Sequence, residues 1–198
     1  VYHTASVSRG VKDTFVIADM PFLSYGTTQN ALKNSGKLMQ NGAKMVKLEG
    51  GHWLSETVYQ MSERGIPVCG HLGLTPQSVH QFGGYTIQGV DSKAADKIFS
   101  DAMTLEQAGA QLLVLECIPS RLSPLITKNL QIPVSGIGAG PYTDAQILVL
   151  YDILGISSQI PRFARNFLVD SNSILSALKN YASAVRNSTF PTSEHFVE

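Results

Sequence analysis

The sequence predicts an α/β fold, a parallel sheet that either stays open or curls into a barrel, and three observations carry that prediction. Short apolar runs recur and end in ionisable residues: Phe15-Val16-Ile17-Ala18 leads to Asp19, Met45-Val46 to Lys47-Leu48-Glu49, Pro67-Val68-Cys69-Gly70 to His71, and Leu112-Leu113-Val114-Leu115 to Glu116. Runs without polar alternation suit parallel strands, which are buried on both faces. The stretches between them carry apolar residues at helical spacing, supplying the crossovers that parallel strands require. Ligands of such sheets and barrels bind at the carboxyl ends of the strands, so these ionisable residues are expected to converge on one pocket.

Residues 16–18 form the first strand, followed by a turn at Met20-Pro21-Phe22. Thr27 or Thr28 caps a helix that reaches Asn41 despite Gly36, and Gly42 stops it. Residues 44–48 make the second strand. Leu54, Val58 and Met61 recur at helical spacing, with Gly65 as a left-handed stop and Pro67 just beyond. A third strand starts at Val68. Residues 75–91 lack periodicity and carry Pro76, Gly83, Gly84 and Gly89, so a long loop of the functional or mobile kind is expected there. Ile98, Ala102 and Leu105 mark a helix ending at Gly109. Residues 111–115 are the fourth strand, 122–129 a short helix and 133–137 the fifth strand. Residues 145–154 fit a buried strand or a short helix. Ile174, Leu178, Tyr181 and Val185 mark a last helix capped near Ser171 or Ser173, and the tail after Thr189 is expected to be exposed. These make six strand–helix units in 198 residues. A (β/α)8 barrel takes ~250 residues, so the pattern fits a barrel short of two strands, or an open sheet.

No linker or repeat divides the chain, and residues 1–198 read as a single domain long enough to bury its own core. Lys plus Arg equals Asp plus Glu at 15 each, and no basic cluster appears, which gives nucleic acid and anionic membranes nothing to bind. Cys69 and Cys117 lie in or at the end of apolar runs and read as buried, reduced thiols of a cytoplasmic protein. No apolar run approaches the ~18 residues of a membrane span, and no signal-peptide pattern is visible.

Asp19 and Glu49 are hard oxygen donors at neighbouring strand ends, suited to a Mg²⁺-like cation shared with a chelating substrate, or else to helix capping and pairing with Lys47. Lys47 faces the same side as Glu49, because alternate residues of a strand share a face. It suits a substrate carboxylate, a Schiff base or a structural ion pair. His71, flanked by Gly70 and Gly73, has room to donate to a substrate oxygen or move a proton, or is a satisfied core histidine. Glu116 ends the most apolar strand, where a desolvated carboxylate is suited to take a proton near neutral pH, or to cap a helix. His3, His52, His80 and His195 have no zinc-ligand spacing. Gly136-Ile137-Gly138-Ala139-Gly140 fits a ligand close to the backbone or a tight turn, and is not a dinucleotide fingerprint.

Specific strings go further. Ala18-Asp19-Met20-Pro21-Phe22, Met45-Val46-Lys47-Leu48-Glu49-Gly50-Gly51, the run Val68-Cys69-Gly70-His71-Leu72-Gly73-Leu74-Thr75-Pro76-Gln77-Ser78, Phe82-Gly83-Gly84-Tyr85, Leu113-Val114-Leu115-Glu116-Cys117 and Ile137-Gly138-Ala139-Gly140 resemble ketopantoate hydroxymethyltransferases, in the family's order and over nearly the whole chain. The resemblance implies a (β/α)8 TIM barrel that transfers a hydroxymethyl group from 5,10-methylenetetrahydrofolate to 3-methyl-2-oxobutanoate, giving 2-dehydropantoate for pantothenate and coenzyme A. It implies Asp19 and Glu49 as Mg²⁺-associated acids, Asp19 and Lys47 as keto-acid contacts, Glu116 as proton acceptor and His71 in a supporting, substrate-side role. It also implies a large homo-oligomer, a decamer among the forms it allows. The folate contacts stay unassigned, although the 75–91 loop is placed to wall a wide mouth.

The chain departs from the family pattern in one respect: no aspartate-serine pair precedes Asp19. The resemblance therefore implies that these residues cover about strands 3–8, with the N-terminal two strands absent. Roughly 60 further residues are expected upstream of Val1, cleaved yet still bound, disordered or removed. Two other readings stand beside this one. One is a Mg²⁺-dependent keto-acid lyase or mutase of the phosphoenolpyruvate mutase and isocitrate lyase type, whose cysteine loop is not apparent here. The other is a truncated, non-catalytic barrel subunit.

Overall fold

The apolar runs do become strands, and all of them pair in parallel in the order in which they occur along the chain. The computed structural model describes residues 1–198. Helix α1 (Tyr2–Gly10) is followed by β1 (Ile17–Asp19), α2 (Thr28–Gln40), β2 (Met45–Glu49), α3 (Ser55–Ser62), β3 (Val68–Gly73), α4 (Val79–Phe82), α5 (Ser92–Gln107), β4 (Leu112–Glu116), α6 (Ser123–Asn129), β5 (Val134–Ile137), β6 (Ala145–Gln146), α7 (Leu150–Ile153) and α8 (Ile174–Arg186). The six-stranded sheet runs β1-β2-β3-β4-β5-β6, every pair parallel. Such an order never reverses, so it lacks the switch point of a doubly wound sheet and curls one way. The result is a half-barrel, with β1 and β6 as open edges.

The two faces of the sheet separate cleanly. Val46, Leu48, Val68, Leu72, Leu113, Leu115 and Val134 point outward into a core shared with Ala31 and Leu38 of α2, Val58 and Met61 of α3, Ala102 and Leu105 of α5 and Ile126 of α6. Each fully buried Leu or Val contributes roughly 1.5–3 kcal/mol, so this layer is the main source of stability. Met45, Cys69, Val114 and Ile137 form a smaller apolar cluster on the inner face. The ionisable residues share that face.

Local signals end the helices where expected. Thr27 Oγ1 accepts from the Asn30 amide at 3.2 Å and Ser173 caps α8 in a reciprocal box with Ser176. Gly65 sits at φ +74. Three expectations need correction. The stretch 75–91 is not all loop: a 3₁₀ turn, Pro76–Ser78, and α4 occupy its first half before Gly83 stops α4 in the left-handed region. Residues 145–154 are both a strand, β6, and a helix, α7. The tail is not exposed throughout: Phe190 and His195 are buried, Phe190 packs edge-on against Phe167 and Tyr181, and the Ser120 amide donates to the Val197 carbonyl at 2.7 Å. No helix is long and apolar enough to cross a membrane.

Candidate active site

Register places the ionisable residues in steps up the inner face. Asp19 pairs with Lys47, Glu49 with His71, and Gly73 with Glu116. Asp19, Glu49 and Glu116 are the last residues of their strands, each one position beyond the expected ends of 16–18, 44–48 and 111–115, so their carboxylates stand at the rim. All five sequence-expected residues are brought together. Lys47 Nζ lies 2.7 Å from Asp19 Oδ1, 3.5 Å from Glu49 Oε1 and 3.2 Å from His71 Nδ1. His71 Nε2 lies 3.2 Å from Glu116 Oε2. That approach is off the ring N–H axis, an ion-pair distance without an aligned hydrogen bond, and Nε2 has no other partner.

Burial differs sharply along this chain of contacts. The Asp19 side chain is 65% exposed, whereas those of Lys47 and Glu49 are 15% and 6% exposed. Burial works against the Lys47 ammonium, but Asp19 beside it and then Glu49 outweigh that and raise its pKa. Burial likewise works against the Glu49 carboxylate, while His71, the Gln77 amide and Lys47 hold its pKa below the ordinary value. For His71 burial pulls downward, and Glu116 and Glu49 together pull the net pKa up. In its neutral form the ring accepts from Lys47 at Nδ1, since an ammonium only donates, and so presents Nε2–H towards Glu116.

Gln77 and Tyr25 escaped the sequence reading. The Gln77 backbone amide donates to Glu49 Oε2 at 2.9 Å, and Tyr25 is buried against the Glu49 backbone. The one available signal was the position of Gln77 within the string Leu74-Thr75-Pro76-Gln77-Ser78. The glycine string begins inside β5 and leads into a close-packed turn: a Cβ on Gly138 would meet Phe163 at 2.9 Å, and one on Gly140 would meet Ser120 at 2.6 Å. Cys69 and Cys117 are pushed to about 12, by burial in both and by the Glu116 charge for Cys117, so both are thiols and poor nucleophiles at neutral pH.

The donor set suits a hard cation. Asp19 and Glu49 offer oxygen only, no group of three His, Cys, Asp or Glu side chains is gathered around one metal position here or elsewhere, and Asp19 keeps Oδ2 free of protein hydrogen bonds. Two carboxylates leave coordination positions for water and a chelating ligand, which is how such ions are held in substrate-binding sites.

A profile of the ketopantoate hydroxymethyltransferase family matches residues 1–193. The chain is 60% identical over 195 residues to the 3-methyl-2-oxobutanoate hydroxymethyltransferase of Shewanella sp. (strain MR-4), covering 98% of this chain and 74% of that protein. It is 59% identical over 196 residues to the protein of the same name from Shewanella loihica, with the same coverage of 98% and 74%. Among solved structures, a putative phosphonomutase from Burkholderia cenocepacia J2315 superposes with a TM-score of 0.58 at 15% identity, covering 93% of this chain and 73% of that one. A phosphonopyruvate hydrolase superposes with a TM-score of 0.52 at 11% identity, covering 96% and 76%. At these identities the structural likeness is one of fold, whereas the likeness in sequence lies with the hydroxymethyltransferases.

Proposed function

The chain belongs to the ketopantoate hydroxymethyltransferase family, and from that premise we propose how its own residues carry out hydroxymethyl transfer to 3-methyl-2-oxobutanoate. The reaction is that of a transferase in pantothenate biosynthesis, and relatives sharing 60% of its residues bear the enzyme's name. In our reading Lys47 binds the keto-acid carboxylate, Asp19 and Glu49 hold Mg²⁺, with Asp19 also touching the keto acid, and 5,10-methylenetetrahydrofolate supplies the carbon. When bound there, Mg²⁺ would supply Lewis acidity to the keto acid. Glu116 removes the C3 proton, with His71 beside it on the substrate side. The new carbon–carbon bond forms between C3 and the folate's methylene carbon as one of that carbon's two C–N bonds breaks, and water then supplies the hydroxyl oxygen as the second C–N bond breaks and tetrahydrofolate leaves with both nitrogens.

The observation that carries this reading is the unbroken line of contacts from Asp19 through Lys47 and His71 to Glu116, none longer than 3.2 Å, on the inner face of the sheet. In this reading the cation for the substrate carboxylate and the base for its C3 proton stand within one side chain of each other. The strand numbering is also our inference: β1 to β6 stand for the third to eighth strands of a (β/α)8 barrel. Assembly into a homo-oligomer and a cytoplasmic location are proposed with it. Exposed apolar Val149, Leu150, Tyr151 and Ile156 offer a surface for assembly.

The test is exchange of the substrate C3 proton in deuterated water, followed by NMR. Glu116→Gln is expected to keep keto-acid binding and slow exchange by at least ~10²-fold, the usual scale for a positioned base. Exchange at the wild-type rate would overturn the role of Glu116.

A further inference from the structure

Gln77 directs its backbone amide and both ends of its side-chain amide to the strand ends and loops that carry the two rim acids. Its backbone amide donates to Glu49 Oε2 at 2.9 Å. Its side-chain Nε2 donates to the Met20 carbonyl, directly after Asp19, at 2.9 Å. Its Oε1 accepts from the Tyr25 hydroxyl at 2.7 Å. The orientation of the amide follows from chemistry, because the Met20 carbonyl can only accept and so must face the NH2 group. Tyr25 then has one proton, given to Gln77, and its oxygen receives the Glu49 backbone N–H at 3.3 Å. A directional chain results: Glu49 N–H to Tyr25, Tyr25 O–H to Gln77, Gln77 N–H to Met20.

We propose that Gln77 is a positioning residue for the reaction, fixing the Glu49 carboxylate through its backbone and locking the turn after Asp19 to the same point through its side chain, with Tyr25 as the strut between them. The two acids end different strands, and beyond the ladder bond from the Met20 amide to the Lys47 carbonyl Gln77 adds a tie between the loops that follow them. Holding both to one residue keeps their separation constant, as a shared cation and chelating keto acid demand. The Glu49 oxygen not taken by Gln77 is thereby turned towards Lys47 and His71. This inference rests on the reading of Asp19 and Glu49 as the cation-binding acids.

Gln77→Met keeps length and flexibility while removing the amide. In the full enzyme, KM for the keto acid should rise about tenfold and Mg²⁺ binding by calorimetry should weaken, while KM for methylenetetrahydrofolate stays within about twofold. The same measurements on Glu49→Gln and on the double variant complete the test. The double variant should lose less than the product of the two single losses, because keeping the turn after Asp19 in register with Glu49 is worth less once the Glu49 carboxylate is gone. Independent, multiplicative losses, or unchanged keto-acid and Mg²⁺ binding in Gln77→Met, overturn the inference. Should Gln77→Met not fold, Tyr25→Phe decides: a rise of about threefold in the same KM supports the proposal and an unchanged one overturns it. If Glu49→Gln itself leaves keto-acid and Mg²⁺ binding intact, the reading of Glu49 falls first. If Glu49→Gln weakens binding and the Gln77 and Tyr25 variants do not, that reading stands and only the positioning role is lost.

Discussion

His71 Nε2 stands 3.2 Å from Glu116 Oε2, and on the opposite side of the ring Nδ1 stands 3.2 Å from Lys47 Nζ. One buried imidazole thus joins the cation expected to hold the substrate to the carboxylate expected to deprotonate it.

That position has a pH signature in the metal-free protein. Against its burial and against Lys47, Glu116 and Glu49 raise the His71 pKa above its ordinary 6.5. A raised folded-state pKa contributes stability that is fully present below the unfolded value and is lost as pH rises through the folded one. Chemical denaturation of wild type and His71→Gln should therefore show a wild-type advantage that shrinks as pH climbs above 6.5. An advantage that grows over the same range would show that the ring folds neutral.

Lys47 is the permanent cation beside Asp19 and Glu49, and its side chain is only 15% exposed. Lys47→Met takes the ammonium from the buried Glu49 carboxylate, which keeps the Gln77 amide and His71, a loss on the order of 1 kcal/mol. The same change should raise KM for the keto acid at least about tenfold with a smaller effect on the folate KM, as expected of a substrate-carboxylate contact. Steady-state kinetics with both substrates varied would check it, and an unchanged keto-acid KM would remove Lys47 from the substrate site.

Much of this site is legible in the sequence because strand geometry is periodic. Lys47 and Glu49 share a face since they are two apart, and Asp19, His71 and Glu116 join them because each follows an apolar run that becomes a neighbouring strand. Gln77 and Tyr25 obey no such period. Their contact spans 52 residues and depends on how two loops fold over the strand ends, which no local pattern encodes. The buried tail is hidden for the same reason, since Phe190 is apolar alone in sequence but meets Phe167 and Tyr181 in space. At residues 145–154 the difficulty is different. A two-residue strand and a four-residue helix share one short apolar stretch, below the length at which either period can be recognised.

How the metal proposed for Asp19 and Glu49 should bind follows from the donor set. Two carboxylates, one of them already bonded to Gln77 and facing Lys47, should bind Mg²⁺ weakly alone and more tightly once the keto acid adds its own oxygens. Calorimetry of Mg²⁺ with and without 3-methyl-2-oxobutanoate tests this. Tight Zn²⁺ binding through Cys69 or His71 would contradict it.

Gly73 allows a sharper structural test, because it sits at φ +89 and a Cβ there would come within 2.1 Å of the Glu116 carbonyl oxygen. That carbonyl accepts the Leu74 amide at 2.8 Å, so the end of β3 grips the end of β4 at the residue expected to act as base. Gly83, at φ +73, serves as the control, since a Cβ added there would meet nothing within 4 Å. Gly83→Ala should cost only the left-handed strain, on the order of 1 kcal/mol, and leave C3 proton exchange unchanged. Gly73→Ala must meet similar strain and also push the Glu116 backbone aside. It should cost at least about 2 kcal/mol and slow exchange by more than about tenfold, since small displacements of a catalytic group are expensive. Denaturation and exchange measured on the same two variants separate the effects. Equal behaviour of the two would mean that β4 yields freely at Glu116, and that the base is not held by its neighbour strand.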